Sequence, residues 1–383
     1  MIEIKDNHKC CGCNACAQRC PKSCIVMQED KEGFLYPVVD KEQCIGCGLC
    51  EKVCPVLNQG EERRPLHVYA AKNKNEEIRM QSSSGGIFTL LAEQILEEGG
   101  IVFGAGFNKD WEVVHDYTDN KEGLAVFRGS KYVQSRVGET YVQAEQFLKK
   151  GRKVLFSGTP CQIAGLKSFL RKEYDNLLTV DFICHGVPSP LVWRNYLNEL
   201  SGDLMQDISR IEFRNKVLGW RNYSFTLSVF EKHGTKNRVW FSESGSKNFF
   251  MRGFLSDLYL RPSCYACPSK CLKSGSDLTL GDFWGIEHVL PEFDDNNKGV
   301  STLFVNTDKH LQFVEMDFKE VEYDDVVKYN SAIRYSAKNS GLRTVFWDKM
   351  NEGDLSGLIE KLTKIPLWKM FGRIVKRGIK KIM

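Results

Sequence analysis

The sequence predicts a mixed α/β chain, α+β in its layout, with a small cysteine-rich domain in front of a larger domain of strands and helices. Three observations predict this. Eight of the 15 cysteines fall in two copies of one spacing before residue 58. From Val68 onward, apolar runs of strand length alternate with helix-period segments. A polar stretch, Gln59 to Pro65, separates the two regions and reads as a linker.

A chain of 383 residues is too long for one ordinary domain. Its net charge of +4, from 53 basic and 49 acidic residues, is too small at this length to argue for a nucleic-acid partner. Met1 to Lys9 is polar, and nowhere do 18 apolar residues run uninterrupted, so the chain reads as cytoplasmic. In that setting fifteen cysteines read as metal ligands, not disulfides.

Cys10, Cys13, Cys16 and Cys20, followed by Pro21, give CxxCxxCxxxCP, and Cys44, Cys47, Cys50 and Cys54, followed by Pro55, repeat it. Three thiolates on one tight loop suit three corners of an iron–sulfur cube, and the fourth reaches the cube held by the other repeat. The repeat therefore predicts a bacterial-type ferredoxin domain over residues 1–58 with two 4Fe-4S clusters. One would sit on Cys10, Cys13, Cys16 and Cys54, the other on Cys44, Cys47, Cys50 and Cys20. Structural zinc also favours CxxC pairs, but as two plus two ligands, without a crossed fourth. Cys11 and Cys24 fall outside the pattern and receive no role. Gly33 to Asp40 alternates enough to be a strand of the small sheet covering the clusters.

In the larger domain, Ser82 to Gly86 precedes an amphipathic helix, for which a serine N-cap is expected, and Gly99 and Gly100 stop it before a buried strand, IVFGAGF. Val154 to Phe156 forms a second strand leading through Gly158, Thr159, Pro160 and Cys161 into a helix. LLTVDFICHG is a third strand, ending on Cys184 and His185. Strand ends that lead into helix starts are where α/β sheets keep ligands. Extended segments follow Ser209, then a helix from Lys247 to Leu260, then Cys264, Cys267 and Cys271, and a short strand ending in Gly281 and Asp282. The SSSGG turn can receive a phosphate on its hydroxyls and free amides, though serine and glycine before a helix are far more often a plain cap. CxxC at Cys264 and Cys267 needs two more thiolates to close a metal site. Cys161 and Cys184 are candidates for a third cluster, zinc or inert burial are alternatives, and Cys271 competes for a ligand position.

Together SSSGGIFT (82–89), GSKYVQS (129–135), FSGTPCQIAGL (156–166), DFICHGVPSP (181–190), RPSCYAC (261–267) and LTLGDFWGI (278–286) resemble the coenzyme F-420 hydrogenase/dehydrogenase beta-subunit family, which includes bacterial members in polysaccharide gene clusters. The resemblance covers about Val68 to Tyr335. It implies a flavin, FAD, in a larger domain spanning 66–345, with a third 4Fe-4S cluster on Cys161, Cys184, Cys264 and Cys267 and Cys271 as the rival ligand. It places Ser83, Ser84, Gly85, Gly86, Thr89, Lys131, Tyr132, Gln134, Ser135 and Thr159 near the flavin. His185 and Lys131 become candidate catalytic groups, beside the structural roles that an imidazole near a cluster or a phosphate-binding lysine would have. The expected function is an iron–sulfur flavoprotein oxidoreductase acting on a small molecule, with polysaccharide biosynthesis as one setting and a ferredoxin-like redox partner. The alternative is an electron-transfer subunit that feeds a partner enzyme.

From Leu355 the tail alternates apolar residues with lysine and arginine at helical spacing. A basic amphipathic helix over 346–383 can lie on the inner face of a membrane through residues 356–383, or pack on its own domain with a lysine face outward. Pro366 would interrupt it.

Overall fold

The computed structural model describes residues 1–231, 237–294, 297–309 and 314–364. The N-terminal module is small and held by its cysteine loops. Its two strands, β1 (Ile25–Glu29) and β2 (Leu35–Val39), pair antiparallel, and the third cysteine of each repeat lies in a short helix, Ala15–Gln18 or Leu49–Lys52.

The larger domain is built on an eight-stranded mixed sheet. Its strands are β3 (His67–Asn73), β4 (Ile101–Phe107), β5 (Val113–Thr118), β6 (Val154–Gly158) and β7 (Leu177–Phe182), and then, after an excursion, β11 (Leu278–Asp282), β12 (Ser301–Val305) and β13 (Met316–Glu320). The order is β13-β3-β12-β11-β7-β6-β4-β5, and only the central run β11-β7-β6-β4 is parallel. These strands are nearly all buried because helices cover them: Ile87–Glu97 on one face, Thr140–Lys149 and Pro160–Leu170 on the other. The excursion carries a separate antiparallel sheet, β8 (Ile208–Asn215), β9 (Ser224–Phe230) and β10 (Asn237–Ser244), packed on helices Pro190–Ser201 and Phe249–Leu255 around Trp193 and Phe250. The fold is thus mixed α/β with the small module first, the class the sequence predicts.

Four local expectations change. The helix after SSSGG is capped by Gly86, not by a serine: Gly86 stands at φ +83, and a Cβ there would meet Arg79 and Asn73 at 3.2 Å. The serines are drawn off to other partners, Ser82 to the Ile78 carbonyl and Ser84 to the Val300 carbonyl. The strand before Cys184 stops at Phe182, and the helix expected over Lys247 to Leu260 covers only Phe249–Leu255, because the chain turns through Asp257 at φ +58. The polar stretch Gln59 to Pro65 is docked, since Arg63 donates to the carbonyls of Leu272 and Ser276 at 3.2 Å.

The module is welded to the domain behind it. Cys11, Cys13, Ala15 and Val53 share a core with Phe156, Ile163 and Tyr141, and Arg343 pairs with Glu32 while Arg19 reaches Glu145 at 3.4 Å. Helix Leu355–Thr363 also joins the main core, burying Leu355 and Ile359. The rest of the basic tail, 365–383 with Pro366, lies outside the described residues. No helix among the described residues is long and apolar enough to cross a membrane.

Candidate functional site

The cysteines gather around three small cavities that follow one another into the molecule. The outermost is lined by Cys20, Cys44, Cys47 and Cys50, with the Cys24 thiol 3.4 Å from that of Cys20, and Cys47 is exposed. The next is lined by Cys10, Cys13, Cys16 and Cys54, and also by Cys11. A third lies where the two domains meet and is lined by Cys161, Cys184, Cys264 and Cys267, again with Cys11. Among the described residues no group of three or more His, Cys, Asp or Glu side chains is arranged to hold a single metal ion.

Topology makes the third set. Cys161 opens the helix after β6 and Cys184 follows β7, so two neighbouring parallel strands carry these two cysteines to one end of the sheet, where the Cys264–Cys267 loop packs against them from the excursion. Cys271 is not part of it; its thiol turns to the Arg334 carbonyl 3.9 Å away. Burial pushes the thiols up, Cys184 well above the usual thiol range and Cys264 to about 12, with Lys270 and Arg261 opposing. Thiols held neutral in this way ionise only where a positive charge compensates them, as a bound metal would. Lys270 closes this wall by donating to the Cys184 carbonyl at 2.6 Å and to that of Ala332 at 2.7 Å.

Arg261, wholly buried, ties the second cavity to the third. Its Nε donates to the Cys10 carbonyl at 2.8 Å, and Nη2 to the Leu35 carbonyl at 2.9 Å and toward the Cys10 sulfur at 3.6 Å. Its Nη1 donates to Gln134 Oε1 at 2.9 Å, and Gln134 passes a bond to the Cys11 carbonyl at 3.0 Å. Cys11, Gln134 and Arg261 are therefore interface residues. Sequence reasoning left Cys11 and Arg261 without a role because their partners lie more than a hundred residues away.

Beyond the third set opens a cavity of about 550 Å³, within the range of small-molecule sites. The segment Cys184 to Val187 lines both, so they share a wall. The large cavity reaches Ser83, Ser84, Gly86, Thr89, Lys131, Tyr132, Ser135 and Thr159. Two residues expected at a flavin do not line it: Gln134 is occupied at the interface, and Gly85 is pressed against the Ala71 carbonyl and Ser301. On the serine side, Ser83 Oγ accepts from the Ser130 backbone at 2.6 Å, joining the two loops, and Arg128 donates to Thr89 at 3.2 Å.

Two titratable groups on this side stand away from their usual values. Lys131, enclosed by the cavity walls and donating to the Val126 and Arg128 carbonyls, is pushed down to about 7 by desolvation. His115 is pushed down to about 4 by burial; Nε2 faces the Ser157 carbonyl at 3.1 Å and Nδ1 faces Ser135 Oγ at 2.9 Å, which suits a neutral ring with its proton on Nε2. His185 points its Nε2 at Asp257 Oδ1, 2.6 Å away, on the wall shared by the two cavities.

Comparison with known proteins agrees with this layout. Residues 9–58 match the 4Fe-4S dicluster domain. Residues 68–140 match the N-terminal part, and residues 151–328 the C-terminal part, of the coenzyme F420 hydrogenase/dehydrogenase beta subunit. No curated protein matches the chain. Among solved structures, a chain of the F420-reducing NiFe hydrogenase complex from Methanosarcina barkeri is similar at 17% identity and TM-score 0.45, over 73% of this chain and 97% of that one. With its two family segments in order behind an iron–sulfur dicluster domain, the chain belongs to the coenzyme F420 hydrogenase/dehydrogenase beta-subunit family.

Proposed function

We propose that the protein is an iron–sulfur flavoprotein oxidoreductase, in which electrons enter at the exposed Cys47 end, cross three 4Fe-4S clusters and reach FAD in the large cavity. The observation that carries this reading is continuity. Cys11 lines both the second and third cysteine cavities, and Cys184 to Val187 lines both the third and the large one. Clusters pass single electrons and a flavin exchanges two as a hydride, so the flavin is where one form of transfer becomes the other.

The chain's own residues do the rest. Cys161, Cys184, Cys264 and Cys267 hold the third cluster, and the loops of Ser83–Ser84 and Ser130–Lys131 receive the cofactor's phosphates. Lys131, poised near neutrality, offsets negative charge gathering in the cavity. His185, oriented by Asp257, holds a proton on the wall between cluster and cavity. Arg261 and Gln134 fix the spacing between modules, so transfer does not await a domain motion.

Anaerobic purification followed by iron, acid-labile sulfide and flavin analysis tests the reading. About twelve irons with one FAD are expected, while about eight irons without flavin would leave an electron-transfer subunit that serves a partner enzyme.

A further inference from the structure

The large cavity has a wall that neither the clusters nor the serine loops account for. It is formed where β8 and β9 face the end of β11, and at its centre is Arg214, whose side chain is 3% exposed. Arg214 Nη1 pairs with Asp282 Oδ2, and Trp220 Nε1 donates to Asp282 Oδ1 at 2.8 Å, so both carboxylate oxygens are taken. Arg214 Nε and Nη2, both buried, have no hydrogen-bond partner among the described residues. A guanidinium is always charged, and leaving its buried N–H groups unmet is costly. Such a residue calls for an acceptor.

The geometry says which kind. Nε and Nη2 form one edge of the guanidinium, the edge that grips two oxygens of a carboxylate or phosphate side by side. Aromatic rings lie against the faces of the guanidinium and line the same wall. Tyr223 lies 4.6 Å and Trp284 5.4 Å from the guanidinium carbon, Trp284 is stacked on Trp220 at 4.8 Å, and Tyr132 is stacked on Phe254 at 4.8 Å. These rings suit a flat or ring-shaped body.

We propose that Arg214 anchors the substrate: its free edge binds the carboxylate or phosphate of a planar or ring-bodied molecule held against Tyr223, Trp284 and Tyr132. This rests on reading the cavity as the flavin chamber and adds the substrate class to it. The serine loops then serve the cofactor and the Arg214 wall serves the molecule that is reduced or oxidised.

The test is calorimetric titration of the anaerobically purified holoprotein with benzoate and with benzamide, its neutral counterpart, with flavin absorbance read on the same sample. Benzoate should bind about tenfold or more tightly than benzamide, and Arg214→Met should erase that preference with flavin content unchanged. Equal binding of the two probes by the unaltered protein would overturn the proposal. So would loss of flavin from a folded Arg214→Met protein, since the guanidinium would then serve the cofactor's own diphosphate. If Arg214→Met does not fold, the unaltered protein decides alone, with Arg214→Lys expected to narrow the preference. Absence of flavin from the unaltered protein would count against the flavin reading alone, because the calorimetric comparison does not depend on it.

Discussion

Cys264 and Cys271 stand on the same loop, yet their surroundings differ. Cys264 faces the third cavity, accepting from the Val187 amide at 3.5 Å, and Cys271 faces the Arg334 carbonyl. Cys264→Ala is expected to lower bound iron from about twelve to about eight per chain, and Cys271→Ala to leave it unchanged, as colorimetric iron analysis would show. His115 carries a pH signature. Its pKa of about 4 in the fold lies below the ordinary 6.5, so between these values the unfolded chain takes up a proton that the folded chain refuses, and stability falls as pH drops through that window. The full effect is up to about 3 kcal/mol. His115→Gln should therefore lose less stability than the unaltered protein between pH 7 and pH 5, measured by denaturant unfolding. At this scale the iron–sulfur dicluster domain was legible, because spacing within one loop is local information. Arg214 and Arg261 were not: an unpaired guanidinium edge or a bond to Cys10 exists only after distant segments meet.

Among the elements, the helix Pro160–Leu170 does two tasks. Its first turn presents Cys161, held by a capping box of Thr159 and Gln162, and its middle receives the ferredoxin module at Gly165. A Cβ at Gly165 would stand 2.7 Å from Cys13 Cβ and 2.9 Å from its sulfur. Gly165→Ala should cost about 1–3 kcal/mol despite alanine's better helix propensity, and should loosen the cluster on Cys13. Thermal unfolding with iron analysis would show both. Most strands and helices were readable from periodicity, since parallel strands buried on both faces leave continuous apolar runs. The cap after SSSGG was not, because Ser84 is drawn to Val300, a partner from a distant segment, while Ser82 bonds back to the nearby Ile78 carbonyl. The tail was legible in part: Leu355 and Ile359 enter the main core, so a truncation meant to probe the basic residues should begin after Thr363.

Over the whole molecule, the parallel centre of the large sheet aims its carboxyl ends at one place. Cys161, Cys184 and the Asp282–Trp284 turn all arise there, which sets the third cysteine cavity and the large cavity side by side. The small module is fixed against that end by Arg261, Gln134 and Arg343, so the proposed path needs no movement of one domain against the other. Stopped-flow mixing with a reduced ferredoxin, following flavin absorbance, tests this path most directly. The unaltered protein should bleach its flavin, and Cys264→Ala should keep its flavin oxidised while the remaining clusters are reduced. Equally fast bleaching in both would contradict a path through the third cluster.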